Sequence, residues 1–543
     1  MKPVIRDPHP LFIVDRGSAT TAAALVARVD DRRRLLASIA APASIPVDAV
    51  LEHLVATLRS ADPDLLSNLR FPADPITSGV RLEAVSRPPR TIAVLTATVR
   101  GHAALASVVA RSGWNQVGAT IEQDDPRSVA ARLLDPAVSA VLAGADQRAG
   151  ADERGGLADL SALIAAVATR RPDLPIVLAG AMANHESVIR GTSPDRVDVL
   201  PAPDARSGTP PGEHLREILV GVGRRDDDAR WGLARSTELL ASVLDRRVEL
   251  LEVGMSGGLR AAASVPAAGR PYDLAAITSA GAALVPARID EETIDRVATW
   301  STEHVDRHRL RDRLHELRAH PWADAAGDGA RLRMAALHAA LAHLIELTPD
   351  LSARPSPDLI VVAGGAWAVA PAPIIALAVA DVVRRPAAVQ VAHDHARILG
   401  AIGTIADRAE AQALIADLVD DMLAPLGSVV IPGGLRTGLP AGSVVVSGSD
   451  RPARVELVPG GLAFVDLPPG IVATADFEFR GPVVLGASGR RFQVELAGGL
   501  GGLLVDLRDI PLRLPDRQDL RRELLAGWQD PLWQEPAWLG GGP

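Results

Sequence analysis

Short apolar runs and longer amphipathic stretches alternate along the chain, with polar turns between them. Near the beginning, the apolar runs Leu11 to Val14 and Ala22 to Val29 flank a polar loop, Asp15 to Thr21. A proline-rich joint then precedes a helical pattern from Val47 to Arg59. Short apolar runs bounded by turn residues are typical of buried strands. The first segment therefore predicts the order strand, turn, strand, helix.

Between Thr91 and about Val222, short runs of valine, isoleucine and leucine alternate with amphipathic helical stretches. The predicted strands are Ile92 to Thr96, Ala140 to Ala143 and Ile176 to Ala179, and the predicted helices lie near Ala103 to Ala110 and Leu157 to Thr169. Strands that alternate with helices form open parallel sheets. We therefore predict an inserted α/β domain here, with a pair of prolines before it and a charged stretch after it.

A second α/β region follows the charged stretch. Its predicted elements are strands at Arg247 to Val253, Arg260 to Val265 and Leu359 to Ala363, and helices at Glu291 to His320, Arg331 to Leu347 and Ala409 to Leu423. The longest apolar stretch of the chain, Leu359 to Val383, has the length of a membrane span, but two glycines and two prolines interrupt it. A buried strand, a glycine turn and a buried helix explain it better.

After Pro425, short β-rich runs separated by glycine and proline predict a small, mostly-β domain. A chain of 543 residues is too long for one core, and three or four domains are its natural division. We predict four domains, with boundaries at 1–87, 88–222, 223–425 and 426–543.

The composition excludes several classes of function. The chain has no cysteine and a single lysine, Lys2, which excludes thiol nucleophiles, cysteine zinc sites, disulfides and catalytic or Walker-type lysines. A net charge of -9, without a block of basic residues, argues against a nucleic-acid partner. The N-terminal residues contain no apolar signal core. We expect a cytoplasmic protein that binds neither nucleic acid nor membrane.

Two glycine-rich loops share one form, in which a polar turn joins two strands. The first runs from Asp15 to Thr21 and the second from Glu252 to Gly258. Such a turn can direct backbone N–H groups and hydroxyls at phosphate oxygens, while its leading carboxylate holds Mg²⁺ through water. A plain hairpin turn is the more ordinary interpretation of either loop alone. As a pair, with one loop at the start of each α/β lobe, they favour phosphate binding. Both loops must then reach the same triphosphate, so we expect Asp15 and Gly254 to face each other across one cleft, with Gly364 and Gly365 on its rim.

A third glycine-rich loop, Ala363 to Ala366, follows a buried strand and precedes a helix. In a nucleotide-binding cleft a loop of this kind lies flat against the adenosine. A tight strand-to-helix turn explains the same residues equally well.

In their order, the three loops resemble those of the actin, sugar-kinase and heat-shock ATPase superfamily and, within it, the glutamate mutase L (MutL) accessory protein family. That family's first loop reads roughly D-x-G-S-T-T-T-K, which resembles Asp15 to Ala22. Its motifs G-G-T-D-G-G and P-I-x-x-A-G-N are similar to Ala143 to Asp146 and Pro175 to Ala181, and its G-G-V-L to Gly364 to Trp367. The resemblance covers nearly the whole chain and depends on the order and spacing of the motifs.

This resemblance implies an α/β fold of two ribonuclease-H-like ATPase lobes, 1–87 and 223–425, with an inserted Rossmann-like α/β domain and a C-terminal mostly-β domain. It implies ATP and Mg²⁺ as cofactors, with Asp15 on the metal and Gly364 and Gly365 facing the adenosine. The remaining cofactor-binding residues that it implies are Gly17, Ser18, Thr20, Thr21, Gly254, Ser256 and Gly257. The implied role is a reactivating, chaperone-like accessory factor whose partner is a subunit of an adenosylcobalamin-dependent mutase.

The chain departs from the family pattern where hydrolysis would need it. Ala22 stands in place of the family lysine, and Ala19 in place of a threonine. The second loop lacks both family threonines, and Leu259 stands in place of its final aspartate. We therefore expect at most a weak ATPase and assign no catalytic residue. The alternative is a pseudo-ATPase scaffold or binding protein without turnover. A sugar or acetate-type kinase would need a carboxylate base and a substrate pocket, which we do not locate.

Two pairs of histidines have spacings that occur in metal sites. His304 and His308 have helical spacing, and His393 and His395 flank an aspartate. No carboxylate at Glu-x-x-His spacing accompanies them, so we interpret both pairs as surface or structural histidines.

Overall fold

A computed structural model describes residues 10–69, 71–72, 74–145, 151–192, 199–202, 210–265, 273–304, 306–321, 327–435, 440–448 and 452–533. The chain divides into two compact units. The larger contains Met1–Arg87, Asp227–Ala276 and Ala282–Pro543, and the smaller contains Pro88–Asp226 and Ile277–Gly281.

The first sheet of the larger unit begins with the hairpin predicted from the sequence. Its strands are β1 (Leu11–Arg16), β2 (Thr20–Val29), β3 (Arg32–Pro42) and β4 (Val80–Val85), and helices α1 (Val47–Ala61), α2 (Leu65–Asn68) and α3 (Pro75–Ser78) lie between the last two. The strand order is β3-β2-β1-β4, with β1 antiparallel to β2 and parallel to β4. Helix α1 buries Leu51, Leu54 and Leu58, which pack against Phe12 and Val14. Apolar residues at this spacing form one helical face.

The smaller unit contains a parallel sheet with the order β6-β5-β7-β8-β9. Ile92 and Val94 of β5 pack in one apolar cluster, and Ala93 and Leu95 pack in another, so both faces of the sheet are covered. The strands predicted from the sequence belong to this one sheet. Its elements are β5 (Thr91–Thr96), α4 (Val99–Val109), β6 (Asn115–Thr120), α5 (Pro126–Leu134), β7 (Val138–Ala145), α6 (Ala151–Arg170), β8 (Ile176–Gly180), α7 (Glu186–Thr192), β9 (Val199–Ala202) and α8 (Pro210–Gly223).

The second sheet of the larger unit repeats the arrangement of the first. Its opening strands have the order β12-β11-β10-β13-β14. Strand β10 is antiparallel to β11 and parallel to β13, as β1 is to β2 and β4. These elements are α9 (Ala229–Leu244), β10 (Val248–Gly254), β11 (Gly257–Ser264), β12 (Asp273–Ser279), α10 (Glu291–Trp300), α11 (Arg307–Ala319), α12 (Gly327–Glu346), α13 (Pro349–Ser352), β13 (Leu359–Ala363), α14 (Ala372–Val383), β14 (Ala387–Asp394), α15 (Leu399–Gly403) and α16 (Arg408–Met422).

The first and second sheets share a core. Leu11 and Ile13 of β1 belong to the same buried cluster as Leu250 of β10. Helices α9 and α15 meet within that cluster at Gly232 and Gly403, where a Cβ on Gly403 would lie 1.8 Å from the Gly232 carbonyl oxygen. The absence of side chains at these two positions lets the helices touch backbone to backbone. Helix α9 packs on β10 and β11, and α15 packs on β1 and β4, so the contact between the helices joins the two hairpins.

The C-terminal segment is not separate from the second sheet, which differs from the predicted boundary at 425. Strand β15 (Leu423–Ile431) crosses that boundary and pairs with β14, and β21 (Leu503–Asp506) and β18 (Leu462–Val465) extend the same sheet. The remaining strands, β16 (Gly442–Ser447), β17 (Ala453–Leu457), β19 (Val472–Leu485) and β20 (Ala487–Ala497), form an antiparallel sheet, and α17 (Gln518–Gln529) follows them. Val429 and Val430 of β15 are fully buried because each faces a different core.

The helix predicted from Glu291 to His320 is two helices, α10 and α11. The Asp306 side chain accepts hydrogen bonds from the backbone N–H groups of His308 and Arg309 and starts α11 as an N-cap. His304 lies before this cap, so it does not share a helical face with His308.

The interrupted apolar stretch has the structure predicted for it. Strand β13 is followed by a 3₁₀ turn at Gly365–Val369 and then by α14. Within the described residues, no helix is both long enough and apolar enough to cross a membrane.

Candidate functional site

Three loops of the larger unit surround a cavity of about 210 Å³. Eight of the ten predicted cofactor-binding residues line it. They are Asp15, Gly17, Ser18 and Thr20 from the first loop, Gly254 and Ser256 from the second, and Gly364 and Gly365 from the third. Thr21 and Gly257 are not among the lining residues.

The first loop is the tight turn between β1 and β2. The Gly17 N–H donates to the Thr20 carbonyl at 2.8 Å and closes it. A Cβ on Gly17 would lie 2.8 Å from the same carbonyl oxygen, so the turn has no room for a side chain there. Thr21 pairs with Arg16 in the strands and is buried, which removes it from the cavity. The hydroxyls of Ser18 and Thr20 remain on the cavity side.

The second loop joins β10 to β11 in the same manner. Gly254 pairs with Gly257 at the end of the hairpin, and the Gly254 carbonyl accepts from the Leu284 N–H at 2.9 Å. A Cβ on Gly254 would lie 2.6 Å from an oxygen of Glu252. Gly257 does not line the cavity, but its carbonyl accepts a hydrogen bond at 3.2 Å from Arg230, which does.

The third loop follows β13, the strand that lies beside β10. Gly364 has a φ of 95°, a left-handed conformation that favours glycine. A Cβ there would meet the Val253 carbonyl oxygen at 2.8 Å. A Cβ on Gly365 would lie 2.6 Å from the Arg397 guanidinium. The two glycines therefore allow the end of β13 to approach both β10 and Arg397.

The two hairpin loops meet at their tips. The Ser18 hydroxyl donates to the Ser256 hydroxyl at 3.4 Å. The convergence of the two loops that we expected from the sequence is thus present in the structure, with Gly364 and Gly365 at the edge of the same cavity.

The sequence analysis missed the arginines of the cavity. Arg230, at the start of α9, donates to Glu252 at 3.2 Å, and Arg397, after β14, donates to the Thr20 hydroxyl. Arg333 of α12 also lines the cavity. Single arginines in an arginine-rich chain give no local signal. Topology gives an indirect indication for Arg397. Strands β13 and β14 are parallel neighbours, so residues that follow β14 lie at the same sheet edge as the third loop.

Burial dominates the electrostatics of the acidic groups near the cavity. It raises the pKa of Asp15 to about 7, against the opposing effect of Arg397. It also raises the pKa of Asp394 to about 7, although the N–H groups of Ile398 and Leu399 stabilise that carboxylate. Burial raises the pKa of Glu252 as well, opposed by Arg230. Near neutral pH, the arginines therefore dominate the charge of the cavity.

Asp15 does not belong to a built metal site. Its Oδ1 atom is buried and has no hydrogen-bond partner in the described part of the chain, and Glu252 is engaged by Arg230. Among the described residues, no group of three or more His, Asp or Glu side chains is placed to hold a metal ion. Since Mg²⁺ is bound through carboxylates and water, this arginine-rich set of side chains does not fit it. The arrangement fits an anion instead.

No protein-family model matches the chain, and no curated protein matches its sequence. Solved structures do match. The activator of the 2-hydroxyisocaproyl-CoA dehydratase from Clostridium difficile, with bound ADPNP, is 9% identical over 75% of this chain and 94% of its own, with a TM-score of 0.26. The PilM–PilN type IV pilus biogenesis complex is 12% identical over 75% and 98%, with a TM-score of 0.22. A Ppx/GppA family protein from Aquifex aeolicus is 7% identical over 66% of each chain, with a TM-score of 0.17.

These structural neighbours have folds of the actin, sugar-kinase and heat-shock ATPase type. The glutamate mutase L family is not among them. Because the TM-scores are low, we infer the function from the cavity itself.

Proposed function

We propose that this chain is an ATPase-like nucleotide-binding protein that serves as an accessory factor and has little or no turnover of its own. The observation that carries the proposal is the meeting of two equivalent hairpin loops, through Ser18 and Ser256, at one cavity. Each hairpin begins a sheet in which its first strand pairs in the same way, antiparallel to one neighbour and parallel to the other, so a ligand between the hairpins contacts both lobes.

The bound phosphates would lie between the two hairpins. Gly17 and Gly254 let the backbone approach a phosphate closely, and the hydroxyls of Ser18 and Ser256 supply hydrogen-bond donors. Gly364 and Gly365 form the edge against which the adenosine would lie. The cavity, at about 210 Å³, is below the roughly 300–1,000 Å³ typical of ligand pockets. A whole nucleotide would therefore separate the lobes slightly or leave its base at the rim.

Several features oppose hydrolysis. Leu259 is fully buried in β11 and offers no polar group where the family has an acid. Glu252 is held in an ion pair by Arg230, so it is not free to act as a base. Each missing preorganised donor costs on the order of a hundredfold in rate. These features support binding without appreciable turnover.

The identity of the partner rests on the resemblance to the glutamate mutase L family alone. On that basis the partner would be a subunit of an adenosylcobalamin-dependent mutase. Nucleotide-dependent movement of the lobes would bias the partner towards an open state from which damaged cofactor leaves. A nucleotide shifts such an equilibrium only if its affinity differs between the two states.

The alternative is a scaffold of the same fold that binds no nucleotide. The size of the cavity favours it, because about 210 Å³ is less than a typical ligand pocket provides. Titration calorimetry with ADP and ATP decides between the two proposals. A nucleotide-binding cavity predicts saturable binding, and a scaffold predicts none.

The matched variants Ala368→Trp and Ala487→Trp identify the binding site. Ala368 lines the cavity, and Ala487 is an exposed residue of β20 outside it. Ala368→Trp should abolish nucleotide binding by filling the cavity, while Ala487→Trp should bind as the wild type does. Equal binding by both variants would place the nucleotide elsewhere. Co-purification of a cobalamin mutase subunit tests the partner separately.

A further inference from the structure

Three arginines line the cavity. Arg230 and Arg397 extend from different elements and contact the hairpin loops, whereas Arg333 donates to the Pro321 carbonyl. Arg230 extends from α9 and is fixed by Glu252 and the Gly257 carbonyl, both at 3.2 Å. Arg397 follows β14 and is fixed by the Thr20 hydroxyl of the first loop. Arg230 and Arg397 are thus attached to different hairpin loops, on the cavity side where the two loops meet.

Arg397 is buried, and none of the ion pairs among the described residues includes it. It is 9% exposed, and its side-chain hydrogen bond goes to a neutral hydroxyl. Among the described residues, no carboxylate oxygen lies within the 4.0 Å of an ion pair with it. Asp15 and Asp394 act on it only through space. A buried charge costs several kcal/mol unless an opposite charge compensates it, so the cavity is built for an anion.

We propose that Arg230 and Arg397 bind the polyphosphate of a nucleotide directly and replace the divalent cation. This rests on the proposed nucleotide-binding function and specifies the ligand as a metal-free nucleoside di- or triphosphate. A guanidinium presents planar, paired N–H donors that match phosphate oxygens, and it does so without a metal. Two fixed guanidiniums supply the same formal charge as one divalent ion.

The surrounding residues support this assignment against a magnesium complex. A Mg²⁺ ion in the cavity would be repelled by the two guanidiniums at short range. Glu252 is already paired with Arg230, and the Asp394 carboxylate accepts hydrogen bonds from the N–H groups of Ile398 and Leu399, so neither is free to join Asp15 on a metal ion. Gly365 has no Cβ, and the Arg397 guanidinium lies in the space that a Cβ would take. The absence of a side chain at Gly365 therefore leaves space for Arg397 beside the third loop.

The test is titration calorimetry with ADP and with inorganic triphosphate, each in excess Mg²⁺ and in excess EDTA. We expect each ligand to bind at least as tightly in EDTA as in Mg²⁺, because the guanidiniums supply the charge and disfavour the magnesium complex. Tighter binding in Mg²⁺ than in EDTA would overturn the inference and leave the proposed function standing. Absence of binding by either ligand in both conditions would overturn both.

Variants assign the effect to the two arginines. Arg397→Gln and Arg230→Gln should each weaken triphosphate binding in EDTA by about tenfold or more, since hydrogen bonds to charged groups are the strong ones. Arg309→Gln, an exposed arginine of α11, controls for the loss of one positive charge and should bind as the wild type does. Arg397→Lys keeps the positive charge but lacks the planar, paired N–H donors of a guanidinium. It serves as a second variant at this position in case Arg397→Gln does not fold. Wild-type affinity in Arg230→Gln and in both folded Arg397 variants would overturn the inference.

Discussion

The hydroxyl of Ser18 lies 3.4 Å from that of Ser256, although 238 positions separate the two residues in the chain. Each serine is at the tip of a hairpin that opens one of two sheets with the same strand order. The contact marks the point where the repeated halves of the larger unit meet. A phosphate placed there would touch both halves at once, which is how ligand binding could be coupled to lobe movement.

The first prediction concerns this serine pair. Because the contact is long and exposed, Ser18→Ala and Ser256→Ala should each change the free energy of unfolding by less than about 0.5 kcal/mol. Each should weaken ADP binding by about three- to tenfold, the value of one hydrogen bond. Urea unfolding and calorimetry measure the two effects, with the exposed Ser488→Ala as the control. A double variant that binds ADP normally would contradict the prediction.

The second prediction is that ATP turnover stays near background. The first loop keeps the hydroxyls of Ser18 and Thr20, but the second offers Ser256 alone, and the buried Leu259 has no acidic group. Losing several preorganised donors costs on the order of a hundredfold in rate for each. A steady-state phosphate-release assay on the wild type and Asp15→Ala measures it. Robust turnover that Asp15→Ala abolishes would show that the second loop is competent after all.

Local patterns were enough to predict the parts of the cavity that are turns. Glycines between a buried strand and the next element indicated all three loops, because glycine permits close backbone approach and the φ of Gly364. The order of the loops then predicted that they converge. The alternation of strands and helices likewise predicted the parallel sheet of the smaller unit.

Long-range contacts explain what the sequence did not reveal. Arg230 and Arg397 enter the cavity because α9 and β14 are placed there by the fold, and nothing in their neighbouring residues indicates it. The same holds for β21, which pairs with β15 although the strands β16 to β20 lie between them in the chain. A strand with both faces buried has the same local pattern whichever sheet it joins. The helix break at Asp306 carried a local N-cap signal that the longer helical pattern obscured.

A buried ionic network joins the C-terminal segment to the second sheet. The Asp381 carboxylate of α14 accepts from His338 at 3.0 Å and from Arg508 at 2.5 Å. Arg508 also pairs with Asp506 at 2.7 Å and lies over the ring of Trp528. These side chains come from α12, α14, β21 and α17 and the residues beside them. The network therefore ties the end of the chain to the core of the larger unit.

The third prediction follows from the pKa of Asp381. Burial acts to raise this pKa, but Arg508 and the hydrogen bond from His338 outweigh it, so the pKa is lowered from the ordinary 3.8. A carboxyl group with a lowered folded-state pKa stabilises the fold above its unfolded pKa. That contribution should be complete at neutral pH and should be lost as the pH falls below about 3.8.

Asp381→Asn tests this contribution. At pH 7 it should lower the free energy of unfolding by about 3–5 kcal/mol, because Arg508 loses a buried partner. The difference from the wild type should shrink as the pH falls below about 3.8, because the unfolded chain then binds a proton that the native carboxylate resists. Urea unfolding from pH 7 to pH 3 measures it, with Asp519→Asn, an exposed partner of Arg517, as the control. A pH-independent difference would contradict the assignment.

The last prediction concerns the pH dependence of ligand binding. Asp15 faces Arg397, Asp394, Glu252 and Arg230, and burial raises its pKa to about 7. Below that pH the carboxyl group is largely neutral, and above it a negative charge appears beside the phosphate region. An anionic ligand should therefore bind more weakly as the pH rises through 7, because it is repelled by the ionised form.

Calorimetry with triphosphate in EDTA between pH 6.5 and pH 8.5, on the wild type and Asp15→Asn, isolates this effect. The ligand's own ionisation affects both proteins equally, so the difference between them reports on Asp15. We expect similar affinity at the lowest pH and tighter binding by Asp15→Asn at the highest, by about tenfold. If the two affinities instead keep a constant ratio across the range, Asp15 does not titrate there. If the wild type instead binds more tightly than Asp15→Asn at the highest pH, the Asp15 carboxylate assists the ligand and the prediction is wrong.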